Sequence, residues 1–562
     1  MELSRGTESK RWTLTKLCIV FSLLLIAIFI RVGGDIRRSC SGQSMLPDDA
    51  YYYLVVAKNF VSSGTMSFDG LSTTNGYHPL LFWIEVLMYL LGTLHISEVN
   101  QIVAVICILQ FIFVGTVCTV MWWIYRNWTA YSSQAIAVLV GLTLLLYPRN
   151  ISLFVCGMES GLVFPFLVLF LFFVWRSRWI WAGLAAVLLV LSRLDTSVYI
   201  VFPVVLVASL RGAKSFWSFS KRCLQMGGPP AVAIVVLMIV YKIVFGYPMP
   251  ISGVCKSSFP IPHIQWHLIM NSAVLALESR SPQILATINP FTASVVLAIC
   301  VLLLYRHGFL SLLQRKTALF LVALGLLQLF SFLLFQKWAK PIPAWYFAPL
   351  VIFCCASVGA VITNLFNRRI LLGSCLVIAF VFVVLSGIRE YRLALNPSAR
   401  YGVDLENFIN TQPQDAVWAA TDCGSISFWT GVRFVNLDGV INGFEYQNVL
   451  RKQRLSDYLR EINVRYLVIG IWQHEQIHYF EPMYAHRVDS AVFDGDYETF
   501  DYYVYSYMYG NYSDKVTLHR NQEVWRGNLR LDGTSLARTV VFDLSGVNTA
   551  QQNNIHSVVI VE

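Results

Sequence analysis

The chain has 562 residues, 56% hydrophobic and 13% charged, with mean hydropathy +0.58 and formal charge +10. Soluble domains carry about 25% charged residues, so an ordinary soluble protein and a disordered one are both excluded. Apolar runs of about 20 residues, the length that crosses a bilayer, recur through the first two thirds and mark a polytopic membrane protein. The positive excess does not call for nucleic acid, because Lys and Arg gather in cytoplasmic loops.

In chain order, residues 1–12 are polar and basic and 13–32 apolar, with no A-x-A-like cleavage site close behind. That is the pattern of a retained signal anchor. Ten more runs read as spans: 101–125, 132–147, 158–175, 179–192, 195–210, 229–246, 289–305, 316–336, 345–365 and 370–387, which makes eleven. A further run, 79–94, is ambiguous. If it does not cross, Lys10, Arg11, Arg126, Arg176, Arg178, Arg211, Lys214, Lys221, Arg222, Arg306, Arg315, Lys316, Arg368 and Arg369 all fall on the cytoplasmic side. If it crosses, the basic loops after it face outward, against the positive-inside rule. The run is therefore expected to be an interfacial helix at the outer surface, which also suits its Glu85.

An odd number of spans puts the C-terminus outside. The expected division is a transmembrane catalytic domain over 1–387 and an exported domain over 388–562. In the latter, apolar runs shorten to strand length, as in RYLVIG (465–470) and TVVFDL (539–544). DYLREINVRYLVIG reads as helix, turn and buried strand, and the Tyr-rich alternating text after about residue 480 reads as β. An α/β layer followed by a β-rich end is expected. The twelve cysteines lie mostly in apolar runs and include no CxxC, so no zinc site is expected.

The unusual polar residues collect on the outer face. Asp48 and Asp49 open DDAYYYLVVAKNF, read as a short amphipathic helix; Asp48 is either a helix-start carboxylate or an acid/base group at the membrane surface. In STTNGYHPL (72–80) the Asn75-Gly76 turn leads to His78 and Pro79, with Pro79 suited to a first helical position. Glu159, at the start of a span, is either an N-cap or a site residue, and Arg193 and Asp195 either pair with each other or serve a site. Lys256, an isolated cation in a Pro- and Gly-rich loop, suits a phosphate. Lys337, Lys340, Trp345 and Tyr346 lie on the same side, where aromatic residues also form interfacial belts. There is no P-loop, no GxGxxG after a strand and no HExxH. Without nucleotide motifs, an outward-facing enzyme draws on an energised lipid-borne substrate. Carboxylates beside a phosphate-binding cation fit transfer from a lipid phosphate to a hydroxyl.

The order of these features resembles the GT-C superfamily of integral membrane glycosyltransferases, which use polyprenyl-phosphate sugars. The carrying motifs are the Asp-Asp first loop with TTNGYHPLLFW, then CGMESGLVF (156–164), SRLDTS (192–197), PISGVCKSS (250–258), WYFAPL (345–350) and NLDGVING (436–443). The layout is also similar to that of mycobacterial terminal arabinofuranosyltransferases and related bacterial envelope enzymes. The resemblance implies a GT-C-like helical membrane fold with interfacial helices in the first outer loop. It implies a bacterial inner-membrane location, a cytoplasmic N-terminus and an active site facing outward. The donor would be a polyprenyl-phosphate sugar, and the acceptor a hydroxyl of a glycan, lipid or protein. Asp48 matches the superfamily's general base, with Asp49 as second candidate or helper. Glu159 would stand near the acceptor or a divalent ion. Lys256, Arg193, His78 and Tyr346 would contact donor phosphate or sugar. The superfamily is not uniformly metal-dependent, so no cofactor is required; where a divalent cation (Mg, Mn or Ca) is used, Asp48 and Glu159 would hold it. Asp-Asp replaces the Asp-Glu pair of protein-mannosylating relatives, which argues against protein O-mannosylation. The alternatives are a transporter or flippase of a lipid-linked glycan and a glycan-binding scaffold.

Overall fold

A computed structural model describes residues 46–126, 133–197, 216–262, 290–306, 312–335, 337, 344–365, 368–395, 403–472, 486–487, 497–506, 508–509, 511–531 and 535–545. The expected spans 13–32 and 195–210, apart from the first residues of the latter, lie outside them, as does Lys340.

The segment expected as the first outer loop forms α1 (Asp48–Ser63) and α2 (Pro79–Leu90). The membrane part continues with α3 (Glu98–Arg126), α4 (Ser133–Leu145), α5 (Pro148–Val155), α6 (Ser160–Trp175), α7 (Trp179–Ser192), α8 (Phe216–Phe245) and the short α9 (Ile251–Lys256). It ends with α10 (Pro290–Arg306), α11 (Leu312–Phe335), α12 (Ala348–Leu365) and α13 (Arg368–Leu395). Nine expected spans thus fall on helices. Among the described residues, three helices are long and apolar enough to cross a membrane by length and composition: Glu98–Ile124, Phe216–Phe245 and Trp345–Thr363. The ambiguous run forms α2, whose 12 residues rise about 18 Å, short of the roughly 30 Å hydrocarbon core. Pro79 occupies its first turn, after His78 as N-cap.

The helices pack around buried Phe113, Phe154, Leu167, Leu189 and Phe353. Close crossings use small residues. A Cβ on Gly141 would meet the Cys355 carbonyl at 3.2 Å, and one on Gly359 would strike the Ala137 carbonyl, so α4 and α12 approach backbone to backbone.

Beyond α14 (Val403–Asn410), β1 (Val417–Ala420), α15 (Gly424–Thr430), β2 (Phe434–Asn436), α16 (Phe444–Arg451), α17 (Leu455–Glu461) and β3 (Val464–Trp472) form the expected α/β layer. Asn463, at φ 56°, makes the turn between α17 and β3. The β-rich end holds β4 (His486–Arg487), β5 (Thr499–Ser506), β6 (Asn511–Tyr512), β7 (Val516–His519), β8 (Glu523–Leu531) and β9 (Ser535–Asp543). The first sheet has the order β2-β1-β3-β9-β8, parallel through β2, β1 and β3 and antiparallel beyond. RYLVIG and TVVFDL pair within it, with Leu467 opposite Phe542 and Ile469 opposite Val540. The second sheet centres on β5, whose alternating burial matches the alternating text.

The first outer loop departs from the expected surface position. Residues Ala50 to Ala57 are all buried, so this half of α1 is not amphipathic. It shares one core with the C-terminal part: Tyr51, Tyr52, Leu54 and Phe82 lie with Trp418, Phe428, Phe434 and Tyr466. Tyr51 and Phe428 meet at 5.3 Å between centroids.

In α2, Trp83, Leu87 and Leu90 are exposed along one stripe, while Glu85 on the other side is 1% exposed. Among the described residues neither Glu85 oxygen has a hydrogen-bond partner, and burial raises its pKa well above the ordinary value. A carboxyl raised in the folded state loses stability as pH rises above its unfolded pKa. Glu85→Met is therefore expected to stabilise the protein by about 1–3 kcal/mol near pH 8 and by less at pH 5, read as thermal midpoints in detergent.

Candidate active site

Asp48 and Asp49 sit at the start of α1, four residues before Tyr52 and Tyr53. Side chains at i and i+4 share a helix face, and neighbouring residues differ by about 100°. The helix thus carries two polar faces, Asp48 with Tyr52 and Asp49 with Tyr53.

The first face meets the C-terminal part. Pro47 is the N-cap of α1 and supplies no capping side chain, and Asp48 follows in the first turn. Asp48 Oδ2 accepts from the Gly424 amide at 2.9 Å and Oδ1 from the Ser425 amide at 2.7 Å. The carboxylate thus satisfies the first turn of α15, 376 residues away in sequence. A Cβ at Gly424 would stand 2.5 Å from the Asp48 carbonyl and 2.9 Å from the Tyr52 ring, so glycine admits the contact. Tyr52 Oη accepts from Asn436 Nδ2 at 2.9 Å, and Asn436 Nδ2 also donates to Asp438 Oδ2 at 3.1 Å. Asp438 takes the Val440 amide as well, at 3.1 Å. Gly439 follows at φ 79°, and Asp438 is buried. Burial and nearby Asp422 push Asp48 up to about 7 and Asp438 up to about 6, against their backbone hydrogen bonds.

The second face meets the membrane part. Lys256 Nζ lies 3.3 Å from Asp49 Oδ2 and donates to Tyr346 Oη at 3.2 Å. The Lys256 and Asp49 side chains are 11% and 20% exposed. Burial opposes the ammonium charge, but Asp49 and Tyr346 outweigh it and raise the Lys256 pKa. Arg193 stands over the Tyr346 ring at 4.9 Å. It forks onto Asp195 at 3.1 and 2.7 Å and donates to the Trp345 carbonyl at 3.1 Å. Its NH1 is 3.8 Å from Glu159 Oε1. Tyr53 donates to Glu159 Oε2 at 3.2 Å and accepts the His78 amide at 3.1 Å. His78 Nε2 is 3.9 Å from Glu159 Oε1, while buried Nδ1 has no hydrogen-bond partner among the described residues. Burial lowers the His78 pKa against the pull of Glu159, which favours neutral imidazole.

Six of the expected site residues, Asp49, His78, Glu159, Arg193, Lys256 and Tyr346, therefore form one chain of contacts, drawn from five separate stretches. Asp48 belongs to the other face. Glu159 stands at the N-cap of α6 without capping it. Arg193 is 1% exposed, so it supports the cluster from beneath. Lys337 donates to the Met508 carbonyl at 3.4 Å, an anchor to the C-terminal part. Asp48 and Glu159 share no contact here, and among the described residues no group of three or more His, Cys, Asp or Glu could hold a metal ion. Sequence reading missed Tyr52, Tyr53 and Asn436; the Tyr-Tyr-Tyr run after Asp-Asp was the available signal, through its i+4 spacing.

No family model and no curated protein matches the chain. Solved structures similar to it include ArnT from Cupriavidus metallidurans bound to undecaprenyl phosphate, at 13% identity and TM-score 0.48, over 84% of this chain and 96% of that one. The Archaeoglobus fulgidus oligosaccharyltransferase tethered with an acceptor peptide is also similar, at 13% identity and TM-score 0.39, over 80% of this chain and 69% of that one. ArnT in the apo state gives 15% and 0.36, over 82% and 93%. At these values they carry no residue equivalence, and the functional argument rests on the site.

Asp48 and Asp438 bind protons in the folded state at a pH where the unfolded chain has lost them. Their contribution therefore falls as pH rises from about 4 through 6 and 7. Thermal midpoints are expected to decline over that range. Asp48→Asn, which leaves one of the two α15 amides without an acceptor, is expected to cost about 1–3 kcal/mol near pH 5 and to flatten the decline.

Proposed function

We propose that the chain is a GT-C-type integral membrane glycosyltransferase that moves a sugar from a polyprenyl phosphate to a hydroxyl acceptor at the outer face of a bacterial inner membrane. The carrying observation is the Asp49–Lys256 pair beside Tyr346, Glu159 and His78, at the convergence of the outer-loop segments. The order of sequence motifs supports the superfamily. The positive-inside distribution supports an N-terminus in the cytoplasm, residues 388–562 outside and about eleven crossings.

In this reading Lys256 takes the donor phosphate. In the unliganded cluster its charge is balanced by Asp49. A phosphate arriving at Lys256 competes for the ammonium and loosens its hold on Asp49, which frees the carboxylate for the acceptor. Asp49 then removes the acceptor hydroxyl proton, the oxygen bonds to C1, and the C1–O bond to phosphate breaks with its electron pair. Polyprenyl phosphate leaves, its charge held by Lys256. A single displacement inverts C1. Neutral His78, with its Nε2–H toward Glu159, offers Nδ1 as an acceptor to a sugar hydroxyl. Glu159 holds His78 and Tyr53 in place and faces the acceptor side.

The base is thus Asp49, the second candidate in sequence. Asp48 titrates near neutrality, but both its oxygens already accept backbone amides of α15. Its role is to dock the C-terminal part, which would position the acceptor. Glycan, lipid and protein acceptors all present the required hydroxyl.

The test is release of sugar from a panel of polyprenyl-phosphate donors (arabinofuranose, mannose, glucose, galactose) by purified protein in detergent. One donor is expected to react. Asp49→Asn should lower kcat by about 10²- to 10⁴-fold, Lys256→Ala should raise KM for the donor, and folded Asp48→Asn should keep most of its kcat. Turnover that survives Asp49→Asn but not Asp48→Asn would return the base to Asp48. Failure of every donor to bind would sink the transferase reading, and product of retained configuration would sink the single displacement.

A further inference from the structure

Lys256 is the last residue of α9, a six-residue helix. So short a helix has little stability of its own. The chain before it, Gly246-Tyr247-Pro248-Met249-Pro250, is rich in residues that donate no backbone hydrogen bond or favour irregular backbone. Its N-cap is Pro250, which has no capping side chain, so the first helical amide, Ile251 N–H, needs an acceptor from elsewhere.

That acceptor is Asn75 of the first outer loop. Asn75 Oδ1 accepts from the Ile251 amide at 2.9 Å, and Asn75 Nδ2 donates to the Met249 carbonyl at 3.2 Å. Asn75 is 1% exposed. Its carboxamide thus binds the backbone on both sides of Pro250, as a strand would, across 176 residues of sequence. The other end of α9 is held by the Lys337 amide on the Lys256 carbonyl, at 3.0 Å. Asn75 is itself fixed: Gly76 N–H binds Thr74 Oγ1 at 3.1 Å, and Thr74 Oγ1 donates to the Asn442 carbonyl at 3.2 Å. A Cβ on Gly76 would strike the Val440 carbonyl. His78 follows three residues later, so one loop sets both the histidine and the lysine of the cluster.

We infer that Asn75 is a positioning residue for Lys256: it caps α9 from a different loop and so sets where the ammonium meets the donor phosphate. This rests on the phosphate role given above to Lys256. A side chain of another length or charge cannot serve both contacts. Aspartate keeps the acceptor for Ile251 but sets an oxygen against the Met249 carbonyl, and alanine supplies neither.

Two measurements test it. In the first, hydrogen–deuterium exchange of the full-length protein without ligand compares wild type with Asn75→Ala. Amides of the 249–258 segment should exchange at least tenfold faster in the variant, with the α15 amides unchanged. Equal exchange at 249–258, or faster exchange throughout the C-terminal part, would overturn the inference whatever the donor is. In the second, undecaprenyl phosphate is titrated into wild type, Asn75→Ala, Lys256→Ala and the double variant, each checked for folding by its thermal midpoint. Asn75→Ala should weaken binding about tenfold, and should add less than twofold on the Lys256→Ala background. It should also raise KM for the donor with kcat within about twofold of wild type. Full additivity of the two substitutions would overturn the inference. If Lys256→Ala bound the lipid as wild type does, the phosphate reading would fail instead, and the exchange result would still decide whether Asn75 orders α9.

Discussion

Two consecutive carboxylates at the start of one helix face in different directions, and the rest of the site depends on that divergence. A rotation of about 100° per residue sends Asp48 with Tyr52 toward the C-terminal part and Asp49 with Tyr53 toward the membrane helices. α1 is consequently buried on both sides, and a 16-residue segment ties two regions together. What docks the C-terminal part and what holds Lys256 are one residue apart, so any shift of α15 on α1 is carried into the cluster.

Charge balance explains why so many ionisable groups are tolerated at low exposure. A buried charge without a partner is costly, and breaking a buried pair strands the survivor. Here Arg193 faces Asp195 and Glu159, and Lys256 faces Asp49. With His78 neutral, three carboxylates face two cations. Tyr346 stands between Arg193 and Lys256 and accepts their positive charge on its ring, at 4.9 and 5.7 Å. In the proposed reaction, an incoming phosphate would compete with a carboxylate already in place, which would couple donor binding to release of the base. On the other face, burial and neighbouring carboxylates raise Asp48 and Asp438 toward neutrality.

Much of the architecture was legible. Apolar runs located nine helices, because a segment inside a bilayer must stay apolar along its length; length does not set α2, of 12 residues, apart from α4 and α7, of 13 and 14. The helix–turn–strand at 457–470 and the alternating strand at 499–506 followed from apolar periodicity. DDAYYYLVVAKNF reads as an amphipathic helix, whereas Ala50 to Ala57 are all buried, because residues of the C-terminal part pack into the same core. α8 begins at Phe216 rather than near 229, and Pro229 and Pro230 lie inside it.

The sequence by itself determined which residues were candidates, since that depends on composition, spacing and the cost of burying charge. It singled out Asp48, Asp49, His78, Glu159, Arg193, Lys256 and Tyr346. The tertiary structure alone decided how they divide. Asp48 finds its partners at 424–425 and Asn75 finds its own at 249–251, across 376 and 176 residues. Pairings across such distances are set by how helices and loops pack, and no local pattern records them.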